Sequence, residues 1–553
     1  MALIRPGESQ ETPMALQIRT TDVLILLAAG WLVFKLVQRL TNSRGATGTT
    51  LRSPPNESYL FGMTGAIVKS KDTGILFQDW AEKYGPVYQI AAPFGAKRIV
   101  LCDPKAVNHM YAFERSVYVK SQLGRVVVAN LFGRGLLWAE GESHKRQRKT
   151  LTPAFSNAAI RRLTAVFYDS AYKLKGHWDT TLDAASSIDG AIIDVEHWMN
   201  RVALDSIGIA GFAHDFGTLD GKHSAVATAF DNLSFGSGSA INNMIFLLGL
   251  RLPFLAHLPS RRNRVARNLR LTMSKIADEL LQKTRKEKQT HITDETMDRS
   301  VIGLLLKAET EDAELHMDPD EVLAQMNVLL LAGYETTSIS LTWALIELAR
   351  LPEKQAKLRA ELTQFGASDP TWDELVSPTA LPYLDGVTLE TLRMHPPLGE
   401  TTRVAGVDDI LPVSEPITLP DGEVVDQIVV AKGTLVTASI RCMNQSERFW
   451  GPNAKEWEPE RWFTLDKDNL RAKEITGHRH LITFTEGPRV CLGKQFALAE
   501  FKSVLSVLIR NYTFEFPGGP ETELGVHRSI IPRPKVAGEA GANVPLRVRR
   551  VEY

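Results

Sequence analysis

The sequence predicts a mainly α-helical catalytic unit with a minor β part, preceded by a single N-terminal transmembrane helix. Three observations carry this expectation. An uncharged apolar run near the N-terminus, VLILLAAGWLVF (Val23 to Phe34), is followed by a Gly/Ser/Thr/Pro-rich stretch. From Gly141 to Leu362 apolar residues recur at spacings of three and four, the period of helices that bury one face. Strand-like runs sit around that region and do not alternate with helices, so no doubly wound sheet is expected.

Composition narrows the function classes. The 553 residues are 44% apolar and 23% charged, ordinary for a chain with a large buried core. The 64 basic and 64 acidic side chains cancel, so no global field draws in nucleic acid. Three cysteines, Cys102, Cys442 and Cys491, cannot build a disulfide framework and point to a reducing compartment.

Taken in order, residues 1–22 read as a non-cytosolic tail and 23–40 as the anchor. Counted to Leu40, the apolar stretch suffices for a thin bilayer if Lys35 reaches the headgroups. No small-residue cleavage site follows, which favours a retained anchor over a removed signal peptide; a buried N-terminal helix is the other reading. Arg5 and Arg19 are offset by Glu8, Glu11 and Asp22, whereas Lys35, Arg39, Arg44 and Arg52 follow without an acid. The positive-inside rule then puts the long C-terminal part in the cytoplasm. Residues 41–55 form a linker ending at Pro54-Pro55, and 56–553 the catalytic domain.

PVYQI (Pro86 to Ile90) and KRIVLCD (Lys97 to Asp103) read as strands turning at Gly95, and further strands appear in TRVAG, QIVVAKGTLVTAS and VPLRVRRVEY. One helix stands out. Glu321 to Arg350 has no proline and would be roughly 45 Å long. It is apolar on nearly all sides, but Glu335, Thr336, Thr337 and Ser338 would be costly in lipid, so it reads as a core helix with a polar notch at its midpoint.

Cys491 lies in Phe484-Thr-Glu-Gly-Pro-Arg-Val-Cys-Leu-Gly493, just ahead of the helical pattern KQFALAEFKSVLSVLI. A cysteine before a helix sits in the positive field of the first peptide groups, which favours thiolate over thiol. Gly487 and Gly493 let backbone pass close to something flat, Arg489 can reach an anionic group, and Phe484 can shield the sulfur from water. A thiolate so held can push electron density onto a haem iron. A lone cysteine is otherwise inert core packing, but here each flanking residue has a separate job.

The run matches F-x-x-G-x-R-x-C-x-G at every fixed position. By it the chain resembles the cytochrome P-450 superfamily, most of all its fungal microsomal members, from about Pro54 to the C-terminus. The resemblance implies the cytochrome P-450 fold and haem b (iron protoporphyrin IX) with Cys491 as the metal ligand. It implies insertion of one oxygen atom from dioxygen into a lipophilic small molecule, a terpenoid or other secondary metabolite. Electrons would come from a separate NADPH-cytochrome P-450 reductase, with cytochrome b5 a further candidate partner. The implied location is the endoplasmic reticulum membrane, single-pass, with the catalytic domain facing the cytosol.

The notch Ala332-Gly333-Tyr334-Glu335-Thr336-Thr337 is the second feature. Gly333 is a poor helix former and Thr336 can bond back to a carbonyl one turn earlier, so the helix can open locally and admit a water. On its residues alone this reads equally as a kink with a satisfied core threonine or as an acid–hydroxyl proton relay. It also resembles the family's A-G-x-(D/E)-T-T motif. That resemblance implies that Glu335 and Thr336 relay protons to dioxygen on the distal haem face.

Glu390-Thr-Leu-Arg393 places acid and base on one helical face before Pro396-Pro397 ends the helix. Alone it says little. By resemblance Glu390, Arg393 and Arg461 (of Trp457-Glu-Pro459-Glu-Arg461-Trp462) form a buried network bracing the haem-thiolate side. For the two propionates the resemblance offers Arg489, Arg403 and Arg148. In GESHKRQRK, His144 replaces the tryptophan of the family's W-x-x-x-R, keeping a ring N–H donor while adding a titratable group. Lys145, Arg146, Arg148 and Lys149 form the patch expected to meet an acidic redox partner, although most such clusters are solvated faces. Met443-Asn-Gln-Ser446 departs from the family's frequent N-R-D sequence and touches no expected ligand.

Two other functions suit a haem-thiolate chain: a redox-independent isomerase or dehydratase acting on a peroxide, and a non-enzymatic haem-binding carrier or gas sensor. The acid–Thr pair, which such isomerases tend to lack, stands against the first. The second would need no proton relay, and dioxygen-dependent NADPH consumption with a reductase would exclude it. Ser121 to Leu131, Leu524 to Ile531 and the apolar stretch Met244 to Leu258 are expected to border the substrate or its access path.

Overall fold

The centre of the fold is set by one sequence, PDEVLAQMNVLLLAGYETTSISLTWALIELAR. In a computed structural model the described residues are 48–70, 72–185, 189–226, 228, 261–289, 300–310, 313–366, 368–465 and 470–552, with Ala28, Gly30 and Trp31. Apart from those last three, the expected anchor (23–40) lies outside the described residues, as does the stretch Met244 to Leu258. Gly48–Tyr553 is one unit and Met1–Thr47 another, and every strand and complete helix described belongs to the larger.

Pro319 opens the helix, where a missing N–H is harmless, and Asp318 caps it by accepting from the Glu321 N–H at 2.8 Å. The helix runs for 32 residues to Arg350, starting slightly earlier than the apolar pattern indicates. It is long and apolar enough to cross a membrane, yet 78% of its most apolar window is buried inside the protein. Val195–Phe212 packs closely on it at Gly333, where a Cβ would fall 2.5 Å from Ile207 Cγ1. The glycine therefore serves helix–helix approach. The local opening expected from it does not occur, and the segment stays helical through the notch. A second pair, Asn157–Ala185 and Lys494–Asn511, packs with Phe167 and Phe496 edge to face at 4.8 Å.

Val87–Ala91 and Lys97–Leu101 form the expected antiparallel hairpin, and Gly95 holds a φ of 70° in its turn, which costs little without a Cβ. Lys97–Leu101 pairs in parallel with Leu435–Ser439, which pairs antiparallel with Glu400–Ala405, and Tyr118–Val119 closes the five-stranded sheet. Ala191–Asp194, Pro545–Arg550 and Tyr512–Glu515 make a three-stranded sheet. Two hairpins complete the β part: Asp409–Thr418 with Val424–Val430, and Leu524–His527 with Arg533–Val536. The sequence reading lacks strand Asp409–Thr418, which carries Pro412 and Pro416. The ladder accommodates them through a register shift between Pro412 and Ile417.

Packing begins before Pro54-Pro55. Leu51 is buried, the Thr49 N–H donates to Val429 O at 2.9 Å, and the Val429 N–H donates to Thr49 Oγ1 at 2.8 Å. The end of the expected 41–55 linker thus belongs to the folded unit. Apolar side chains gather in three clusters: one around the five-stranded sheet, holding Cys102 and Cys442, and one at each half of the long helix.

Candidate active site

Short-range bonds shape the loop ahead of Lys494–Asn511. The Val490 N–H donates to Gly487 O at 3.1 Å and the Cys491 N–H to Phe484 O at 2.9 Å. Gly487 has a φ of 71°, and a Cβ there would meet Tyr111 O at 2.6 Å, so the turn and the neighbouring helix Pro104–Ala112 are what require it. At Gly493 a Cβ would meet nothing nearer than Phe155 Cε1 at 3.8 Å.

The Cys491 side chain has exposed surface, yet protein encloses it on all sides. Burial pushes its thiol up, against the Gly493 N–H, Arg148 and Lys494, which pull the other way without prevailing. Burial thus opposes the thiolate that the helix N-terminus favours, and a metal ion bound at the sulfur would favour the charged form.

The notch also carries accessible surface, where Ala332 is exposed and Thr336 half-buried in mid-helix. Thr336 Oγ1 donates to Ala332 O at 2.7 Å, the back-bond the sequence suggests. Glu335 is turned elsewhere. Its carboxylate accepts from Arg533 Nη2 at 2.7 Å; that nitrogen also donates to the Tyr334 hydroxyl at 3.0 Å, and Glu196 lies 3.5 Å from Nη1. The two expected relay residues are thus neighbours in the chain whose side chains have different partners.

Another acid lies buried near the notch. Glu500, on Lys494–Asn511, is close to the Thr337 and Ser206 hydroxyls, but no aligned hydrogen bond joins them. Burial pushes Glu500 up to about 8, with the two hydroxyls opposing, so it is mostly protonated at neutral pH.

Arg148, Arg403, Arg489 and His144 lie in one region, joined by three residues the sequence reading missed. Arg489 Nη2 donates to Glu140 Oε2 at 2.5 Å and Ala139 O at 3.0 Å. Arg403 Nη2 lies 2.6 Å from Glu114 Oε1, an ionic contact without hydrogen-bond alignment. Lys120 Nζ donates to Ala139 O at 3.2 Å; burial, then Arg489, brings it down to about 7. His144 is buried with no partner at Nδ1; burial, then Arg489, Lys120 and Arg148, lowers it to about 3. Burial and the neighbouring cations both favour the neutral ring.

Five bases (Arg115, Lys120, Arg148, Arg403, Arg489) act on this region against two carboxylates, Glu114 and Glu140. A cationic surplus with unpartnered Nδ1 of His144 and Nε of Arg403 and Arg489 fits a group carrying two carboxylates. The enclosed but accessible thiol fits its iron. The residues present therefore suit haem. In the outer basic patch Arg146 pairs with Glu321 at 2.6 Å, while the exposed Lys149 and Lys145 lie 3.2 Å from Glu314 and 3.7 Å from Glu142.

The Glu390 network is complete. Arg393 Nε and Nη2 donate to the two Glu390 oxygens at 2.9 and 2.8 Å, and its remaining N–H groups reach the carbonyls of Asn444, Ala454 and Glu456. Arg461 Nε lies 3.4 Å from Glu390 Oε1, and Trp462 Nε1 donates to Oε2 at 3.1 Å. The unusual Met443–Ser446 segment belongs to this brace. Besides its carbonyl, Asn444 offers Nδ2 to Thr483 Oγ1 at 2.9 Å, directly before Phe484. No local signal marks Lys120, Glu114, Glu196, Glu500 or Arg533, since burial of a charge depends on partners remote in sequence.

A family model described as cytochrome P-450 matches residues 53–536. The chain is 57% identical over 546 residues to cytochrome P-450 monooxygenase claP of Ampulloclitocybe clavipes, covering 98% of this chain and 100% of that one. It is 33% identical over 547 residues to cytochrome P-450 monooxygenase 205 of Postia placenta, covering 96% and 99%. It is 32% identical over 527 residues to ganoderic acid synthetase of Ganoderma lucidum, covering 90% and 93%.

Proposed function

The chain belongs to the cytochrome P-450 family, and from that premise we propose that it inserts one oxygen atom of dioxygen into a lipophilic small molecule. The balance is R–H + O2 + NADPH + H+ giving R–OH + H2O + NADP+, with a separate NADPH-cytochrome P-450 reductase carrying the electrons and cytochrome b5 a further donor. The observation that carries the reading is the enclosed, accessible Cys491 thiol beside a surplus of cations.

Haem b, when bound, supplies the iron at which dioxygen is reduced. Cys491 holds that iron, and Phe484 keeps water from the sulfur. Arg148, Arg403, Arg489 and Lys120 hold the propionates, with the neutral His144 ring as a hydrogen-bond donor. Thr336 keeps a proton at Oγ1, parked on Ala332 O, and Glu335 is the acid that replenishes it. Val328, Leu329 and Leu331, beside the notch, and Ile530 belong to or pack on one apolar cluster and would desolvate an apolar substrate. A terpenoid or other secondary metabolite suits those walls, and one relative is named ganoderic acid synthetase. We also propose 1–22 as a tail, 23–40 as a single endoplasmic reticulum anchor, a linker from 41, and a cytosolic catalytic domain to 553. Deleting residues 1–44 should release much of the protein from membranes with haem retained, since the folded unit runs from Gly48.

The deciding experiment is the ferrous carbon-monoxide spectrum. Cys491→Ser should abolish the thiolate-type band, while Cys102→Ser and Cys442→Ser keep it. An unchanged band in Cys491→Ser would refute the reading.

A further inference from the structure

We propose that Arg533 is a positioning residue that holds Glu335 ionised and turned away from Thr336, placing that acid under the control of the hairpin Leu524–Val536. The proposal deepens the monooxygenase reading and rests on its use of Glu335 as a proton donor. The Arg533 side chain is 4% exposed. Its guanidinium meets carboxylates from two helices, Glu335 at 2.7 Å and Glu196 at 3.5 Å, and also donates to the Tyr334 hydroxyl. A buried carboxylate beside a guanidinium keeps its charge; deprived of that partner it takes up a proton.

The residues around Arg533 give the clamp its setting. Arg533 begins the second strand of the hairpin, opposite His527, between Pro532 and Pro534, which stiffen the backbone on either side. In the connecting loop Ile531 is buried, and Ile530 packs on the apolar cluster that includes Val328 and Leu329 of the long helix. Pressure on the loop from the substrate side thus acts three residues from the guanidinium. Displacing Arg533 would leave it paired with Glu196 and free Glu335 to take a proton from water. Glu335 could then turn and pass that proton to Thr336 Oγ1 as the hydroxyl gives its own proton onward, which returns Glu335 to the carboxylate that pairs with Arg533.

The test uses the full-length holoenzyme and two readouts. The first is the infrared carbonyl stretch of protonated carboxyl groups at neutral pH, in which Glu500 contributes equally to every variant and cancels in difference spectra. Arg533→Met should add a band that is absent from Arg533→Lys and from the double variant Arg533→Met/Glu335→Gln. The second is peroxide release during NADPH oxidation with a reductase and no added substrate. Arg533→Met should change it several-fold, Arg533→Lys should restore it, and in a Glu335→Gln background Arg533→Met should change nothing further.

Absence of the new band, or equal peroxide effects in both backgrounds, would overturn the proposal and leave Arg533 a packing residue. Should Arg533→Met fail to fold, Glu196→Gln tests the same clamp from the other side. With one acid fewer on the guanidinium, peroxide release should change several-fold in the opposite sense and only when Glu335 is present; no change overturns the proposal. The infrared readout needs no turnover. A failed Cys491→Ser test would therefore remove the monooxygenase reading alone, and a missing band with a normal Cys491→Ser result would remove only the clamp.

Discussion

Around Glu390, all five N–H groups of Arg393 find acceptors, two on the carboxylate and three on main-chain carbonyls. Around Glu500, both carboxyl oxygens and the Thr337 and Ser206 hydroxyls find no aligned partner. Both clusters are buried and both contain a glutamate, yet one is saturated and the other is not. A saturated network fixes geometry, because each bond lost would strand a buried charge. An unsaturated one beside the notch leaves donors and acceptors free to bind water or exchange a proton. The cysteine side is thus built to hold a position, and the notch side to change its hydrogen bonds.

The largest effect should come from breaking the saturated side. Glu390→Ala strands two guanidinium groups and should destabilise the protein by roughly 3–5 kcal/mol, read by urea denaturation of the haem-loaded protein. Thr337→Val, which removes a hydroxyl with no aligned partner, should stay within about 1 kcal/mol. If the two variants cost the same, the contrast between the regions is wrong.

Next comes the pH dependence of the unsaturated side. Glu500 rises from 4.5 to about 8 on folding. Its contribution to stability is therefore fully present below pH 4.5 and is lost as pH climbs through 8, because the unfolded chain gives up this proton first. Glu500→Gln should flatten that decline, gaining a few kcal/mol over the parent by about pH 9. Melting curves of parent and variant that run parallel across the range would contradict it.

Thr336→Ala should leave haem binding and stability nearly untouched while raising peroxide released per NADPH. Equal product per NADPH in parent and variant would remove the relay role and favour an isomerase. The smallest effect is expected at His144, whose ring is neutral. His144→Trp should not alter the pH dependence of haem retention between about pH 5 and 8.

What the sequence reveals follows the range of the interaction. The long helix, the first hairpin and the cysteine loop are legible because cap, period and turn residues lie within a few positions of what they shape. The Glu390–Arg393 pair is legible as a spacing, but its saturation is not, since the carbonyls that complete it come from Asn444, Ala454 and Glu456. Glu335 is legible by motif while its partner is hidden: Arg533 sits in Ile-Ile-Pro-Arg-Pro with nothing local to mark it. His144 misleads for the same reason, because the neighbours that silence it include Lys120 and Arg489 from elsewhere in the chain.

The distances between partners along the chain also set an order of assembly. Arg393 finds its partners 3 to 63 residues away, whereas Arg533 and Glu335 are 198 residues apart. A chain made from its N-terminus carries every residue of the Glu390 brace well before Arg533 is added. The acid beside Thr336 meets its guanidinium only when synthesis is nearly complete, across a longer loop that costs about 1 kcal/mol more to close. The wall that holds the cysteine loop is thus drawn from one stretch of chain, and the clamp on Glu335 from two distant ones.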